Sequence, residues 1–177
     1  MPRKLPALAV AVLSLLITAT AANASGGGAA ASGGGAVWQP PPEQAYVNSD
    51  GLAVAPASAP EEVQAIIAAG NRIAKKPYKY GGGHGSWRDM GYDCSGSVSY
   101  VLHAAGLLDT ALDSTSFMGW GERGRGTWIT IRTNPSHAYM IVAGLRFDTS
   151  ARSRTGSRWS EQMRSASGFR GRHPEGF

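Results

Sequence analysis

Cys94 is the only cysteine in a chain of 177 residues, and it stands in the run GYDCSGSVSYVLHAAG. A thiol does chemistry when it is held as a thiolate, and the neighbouring residues supply the means. Asp93 is of a type that caps helix starts. Val98, Val101, Leu102 and Ala105 fall at helical spacing and Gly106 is a natural stop, which predicts a short helix with Cys94 in its first turn. At that positive end the unpaired backbone N–H groups and the helix dipole favour thiolate over thiol, and the same N–H groups can receive an oxyanion. The other use of a free cysteine is burial as a small apolar residue.

A nucleophile needs a base, and the chain offers His84, His103, His137 and His173. His103 lies nine residues along the expected helix and points away from its start. His84 sits in the glycine-rich run PYKYGGGHG, and His173 in GRHPEG near the C-terminus. His137 opens HAYMIVAG, an apolar and β-branched run that reads as a buried strand with its polar residue at the mouth, so His137 is the candidate base. If HAYMIVAGLRFDTS is a hairpin with Ala143-Gly144 as a two-residue turn, Val142 opposes Leu145, Tyr139 opposes Asp148 and His137 opposes Ser150. Asp148 then becomes a diagonal neighbour of His137, able to orient the ring and stabilise its charged form. A turn one residue longer brings Thr149 round instead.

The elements that position these residues follow from the rest of the chain. Met1-Pro2-Arg3-Lys4 and the apolar run behind it have the layout of a secretory signal over residues 1–24, cut between Ala24 and Ser25; an uncleaved membrane anchor is the competing reading. Residues 25–59 are mostly Gly, Ala, Ser and Pro and read as a disordered linker, with QAYVN and GLAVA the two stretches able to form strands. Residues 60–177 are the size of one small domain. Its expected class is α+β, with a helix from about Pro60 to Ala74 turning Val63, Ile66, Ile67 and Ile73 inward. An antiparallel sheet holding TWITIRT, HAYMIVAG and LRFDTS covers the helices.

The full chain carries 17 Lys and Arg against 12 Asp and Glu, and ten arginines lie between Arg123 and Arg172. Export sets nucleic acid aside and leaves anionic wall polymers or an ordinary solvated basic face as the use of that charge. One cysteine and four scattered histidines show no metal-ligand spacing, and thiol hydrolysis requires no cofactor.

PYKYGGG, then DCSGSVSYVL, then HAYMIVAG, in that order, resemble the NlpC-type bacterial cell-wall cysteine peptidases over about residues 60 to 150. The resemblance implies a reduced papain-like fold, and with the signal layout the expectation is a secreted or envelope-associated protein, a monomer. The implied activity is that of an endopeptidase on peptidoglycan stem peptides, often between γ-D-glutamate and the diamino acid. It implies Cys94 as nucleophile, His137 as base, and substrate-amine contacts from Tyr78, Asp93 and Ser95. An amidase of related fold, cutting sugar from peptide, and a non-catalytic wall-binding relic are the alternatives. Two positions depart from the family: its third residue is usually His, Asn or Gln, where this chain has Asp148 or Thr149, and the large apolar residue usual after DCSG is Ser97. The second departure suggests an altered pocket.

Overall fold

The computed structural model describes residues 43–177; the expected signal and the first part of the expected linker lie outside the described residues. The described chain is mixed α/β, with four helices and a six-stranded antiparallel sheet beside a small two-stranded one. Helix α1 (Glu61–Ile73) starts behind Pro60, carries Glu61 and Glu62 in its first turn where the dipole favours acids, and buries Val63, Ile66, Ile67 and Ile73. It packs on α2 (Cys94–Ala104), and both helices lie against the sheet.

Strands β4 (Ile129–Asn134), β5 (His137–Val142) and β6 (Leu145–Phe147) form its centre. They are flanked by β3 (Glu122–Arg123) and β8 (Arg170–His173) on one side and β7 (Trp159–Ser160) on the other, in the order β3-β8-β4-β5-β6-β7. Ala138, Met140 and Val142 of β5 enter the core with α1 and α2, which by strand alternation turns His137 and Tyr139 to the opposite face. The β5–β6 pairing has Val142 opposite Leu145, as the two-residue turn predicts, and both turn residues have positive φ, Ala143 at 46° and Gly144 at 83°. An alanine there is strained. Its backbone is held on both sides, the N–H donating to Trp128 and the carbonyl accepting from Ala45, each at 2.8 Å.

That last contact corrects the expected linker. Residues 43–59 pack on the domain: β1 (Tyr46–Val47) pairs with β2 (Ala53–Val54), and Ala45, Ala53 and Ala59 are buried. The Asn71 side chain of α1 pairs with both backbone groups of Ala53, each at 2.9 Å, so the hairpin is bonded to the helix like an added strand. Small residues and backbone bonds do this work, which is why composition alone reads the segment as a tether.

The pairing predicted beyond Phe147 is also corrected. The β5–β6 ladder ends at Met140 opposite Phe147; Asp148 leaves it to cap α4 (Thr149–Thr155), and Ser150 lies in that helix rather than opposite His137.

Nor is the arginine-rich stretch one solvated face, because Arg146, Arg158 and Arg172 are buried. The fully buried Arg158 guanidinium donates to the carbonyls of Ile73, Lys76, Pro77 and Tyr92 and to the Ser97 hydroxyl. Burial first, and Arg152 next, push its pKa down to about 10, so it remains charged at neutral pH. The Arg158 backbone joins the end of α1 to the site, its N–H donating to Ala74 and its carbonyl accepting from Asp148, each at 2.9 Å. The Ser97 hydroxyl accepts from Arg158 and donates to the Asp93 carbonyl at 2.7 Å, so it serves an internal hydrogen-bond network.

Candidate active site

Cys94 is the first residue of α2, half-buried at the mouth of the helix. Asp93 caps that helix, its Oδ1 accepting from the Gly96 N–H at 2.7 Å, while the Asp93 N–H donates to Gly82 at 3.2 Å. The approach of helix and glycine loop is close enough that a β-carbon at Gly96 would collide with the Gly82 carbonyl oxygen, which accounts for glycine in the DCSG run. With Gly96 and Ser97 N–H groups taken by Asp93, those of Cys94 and Ser95 have no acceptor among the described residues, and free N–H groups at a helix start are able to receive an oxyanion.

The Cys94 thiol is acted on by the Ala138 N–H and by His137, the first residue of β5, both of which lower its pKa. His137 Nε2 lies 3.0 Å from Asp148 Oδ1, which leaves Nδ1 for the thiol. The Asp148 side chain is fully buried. Its Oδ1 also accepts from the Ser150 N–H at 2.9 Å, and Oδ2 from the Ser150 hydroxyl at 2.7 Å. Thus Asp148, at an extended backbone position before α4, stands beside His137, and Thr149 goes into the helix.

Burial raises the Cys94 thiol pKa, but the hydrogen bonds from His137 and Ala138 and the charge of His137 outweigh it, and the net shift is downward. For His137, burial opposes the charged form while Asp148 and Cys94 favour it, carrying the pKa up to about 9. Asp148 is held well below the usual carboxylate range, burial being overcome by hydrogen bonds from His137 and Ser150. These shifts run in the direction of a thiolate–imidazolium pair backed by a carboxylate, the charge state in which a cysteine attacks a carbonyl.

No protein-family model matches the chain, and no curated protein matches it at a significant level.

A cleft of about 480 Å³ opens beside Cys94 and takes in Tyr78, Asp93 and Ser95, the three residues expected to contact substrate, together with His84, Asp113 and Ser136. The three are unequally available. Asp93 is buried and its carboxylate is engaged, Oδ2 accepting from Gly81 N–H at 3.0 Å and Oδ1 lying 3.1 Å from His84 Nε2. Ser95 Oγ is 3.3 Å from both His84 and Asp93. Tyr78 stands exposed at the rim, its hydroxyl pKa raised by burial, then by Cys94 and Asp93.

His84, set aside as a base on sequence, therefore forms a cleft wall; the signal for it was its place in the glycine loop that packs on the Cys94 helix. His103 stacks on Trp87 with ring centroids 4.0 Å apart, and His173 lies beside Glu122 at 3.8 Å, both away from the thiol. A larger cavity of about 540 Å³, between the β1–β2 hairpin and the α4–β7 loop, contains none of these groups. Among the described residues no three His, Cys, Asp or Glu side chains are placed to hold a metal ion, and no helix is long and apolar enough to cross a membrane.

Proposed function

We propose that the protein is an exported or envelope-associated cysteine peptidase of peptidoglycan stem peptides, working through Cys94, His137 and Asp148. The observation that carries this reading is the convergence of a thiol at a helix N-terminus, an imidazole that lowers its pKa, and a buried carboxylate 3.0 Å behind that imidazole. A nucleophile helix packed against an antiparallel sheet whose strand brings the base is also the arrangement that a reduced papain-like fold would have.

The Cys94 thiolate attacks the scissile carbonyl carbon and the oxygen becomes an oxyanion, received by the Cys94 and Ser95 N–H groups. Imidazolium His137 then gives its proton to the departing amine as the C–N bond breaks, leaving a thioester on Cys94. Neutral His137 next takes a proton from water, whose oxygen attacks the thioester; a carboxylic acid leaves and the thiolate–imidazolium pair is restored. Asp148 holds the ring with Nδ1 toward sulfur throughout.

The cleft lining favours a peptide that presents an ammonium group. Its acidic side chains are Asp93 and Asp113, with no Lys or Arg in the lining, although the whole chain has a formal net charge of +5. Because the Asp93 carboxylate is already shared with Gly81, Gly96 and His84, it acts on that ammonium mainly by its field, and the Tyr78 hydroxyl is the freer direct contact.

The test is mass spectrometry of purified muropeptides after incubation with the parent chain and with Cys94→Ala. The expected result is cleavage within the stem peptide, between γ-D-glutamate and the diamino acid, by the parent alone. Release of intact stem peptide from the sugar would assign the amidase reaction instead. Equal products from both proteins, or none from either, would remove the peptidase reading.

A further inference from the structure

The Asp148 carboxylate has one partner more than orienting a histidine requires. Besides His137 and both Ser150 donors, its Oδ2 accepts from Arg164 Nη1 at 3.1 Å. Arg164 arrives from residues 161–169, which form neither helix nor strand and are mostly exposed. Its guanidinium lies 5.2 Å from the ring centroids of both Tyr139 and Phe169. Phe169, from the end of the same segment, stands edge-on to Tyr139 at 5.2 Å and to His137 at 6.2 Å. One stretch of chain thus brings a cation to the carboxylate and a ring against the imidazole. The core does not account for this cation, since the Arg164 side chain is 33% exposed and sits at the surface end of the cluster.

We propose that Arg164 is a positioning residue for the Cys94–His137–Asp148 site: it fixes Asp148 toward His137 and draws off part of the carboxylate's pull on the imidazole. The proposal rests on the hydrolase reading of those three residues. A fully buried carboxylate in hydrogen-bond contact makes an imidazole hold its proton strongly. A base that must return its proton to a leaving amine works best when that hold is moderate. A guanidinium on the far oxygen of Asp148 supplies the moderation, and its place 5.2 Å from the ring centroids of both Tyr139 and Phe169 restricts the direction of its N–H group.

The other groups facing this pair are Cys94 and the more distant Asp93 from α2, Ser150 from α4, and Arg146 from β6, whose Nε is 3.9 Å from Asp148 Oδ2 and makes no hydrogen bond. Arg132 of β4 acts on Tyr139, and Arg154 of α4 on Arg146. Of these cations, Arg164 is the one hydrogen-bonded to the carboxylate.

The experiment is the rate of Cys94 alkylation by iodoacetamide in the full chain between about pH 4 and 11, where Cys94, as the sole cysteine, is the only thiol reporter. A thiolate beside imidazolium and one beside neutral imidazole react at different rates, so the profile has two steps, the upper one belonging to His137. Arg164→Gln should move the upper step to higher pH by about half a unit or more, while Arg164→Lys, which keeps the charge, stays within about 0.2 unit of the parent. Arg164→Met, whose apolar stem can still pack on Tyr139 and Phe169, should move the step upward as Gln does, and circular dichroism shows that each variant is folded. An upper step that stays put or moves down in both uncharged variants, or an equal shift in Arg164→Lys, overturns the proposal. A parent that shows one ordinary thiol step would sink the hydrolase reading itself, whereas two steps in the parent with no response to the uncharged variants would sink only the role of Arg164.

Discussion

Two histidine–aspartate pairs flank Cys94, and their construction is closely similar. His84 Nε2 lies 3.1 Å from Asp93 Oδ1, and His137 Nε2 lies 3.0 Å from Asp148 Oδ1. Both aspartates cap helices, Asp93 accepting from Gly96 at the head of α2 and Asp148 from Ser150 at the head of α4. What separates the pairs is their surroundings. His137 is rooted in a central strand and acts on the thiol, and its carboxylate is fully buried. His84 belongs to a loop, its carboxylate retains some exposure, and its Nε2 is also shared with Ser95. A histidine–carboxylate contact alone therefore does not mark a base; action on the thiol and the depth of the carboxylate do. On this account the His137 pair performs the chemistry and the His84 pair shapes the cleft and holds the helix start.

The largest contrast is expected in turnover. Cys94→Ala and His137→Ala should each lower it by at least about 10³, since nucleophile and base act as one unit. His84→Ala should stay within about tenfold, with the change mainly in KM. Steady-state kinetics on a defined muropeptide decides it, and a thousandfold loss in His84→Ala would erase the distinction between the pairs.

Next in size, Asp148→Ala should cut kcat by at least about tenfold with little change in KM, because its contribution grows as His137 becomes charged. Thr149→Val should remain near the parent. Equal losses in these two variants would mean that the start of α4, rather than the carboxylate, is what matters.

The pH dependence sharpens the comparison. The alkaline limb of kcat/KM should fall near pH 9, where His137 loses its proton, and the limb should vanish in His137→Ala but persist in His84→Ala. Stability follows the same pair. The raised His137 value contributes stability that is full below its unfolded value of about 6.5 and is lost as pH rises through about 9. The depressed Asp148 value contributes above about pH 3.9 and is lost as pH falls further. Both are present between about pH 4 and 6.5, so the Tm of the parent should decline more between about pH 6.5 and 9.5 than that of His137→Ala. Scanning calorimetry across that window gives the answer, and parallel declines would contradict the assignment.

The smallest effect expected is in stability. Asp93→Ala removes a helix cap and should cost about 1 kcal/mol, seen as a Tm lower by a few degrees.

Much of this site was legible in the sequence because its signals are local. Asp93 before an apolar period marked the head of α2, and the alternation around Ala143-Gly144 matched the β5–β6 register as far as Phe147, whereas Asp148 comes beside His137 by leaving that ladder to cap α4. The signals failed where contacts are long-range or carry no periodicity. Helix α4 buries only Ala151, so TSARSRT lacks the apolar period of a packed helix and its first residues read as strand. Residues 43–59 are held by backbone bonds to Asn71 and the Ala143 turn, which leave no mark on composition. Arg158 reaches acceptors from 61 to 85 residues away, and Arg164 reaches Asp148 across 16 residues that include α4 and β7. In each case the information lies in the fold rather than in spacing.

The central claim is that His137, and not His84, activates Cys94, and iodoacetamide labelling of the sole thiol at about pH 6.5 tests it without any knowledge of the substrate. The account predicts that His137→Ala slows labelling at least about tenfold, because a thiolate without its imidazolium partner is at least one pKa unit harder to form, while His84→Ala labels within about twofold of the parent. Labelling at the parental rate in His137→Ala, with the loss found in His84→Ala instead, would contradict it.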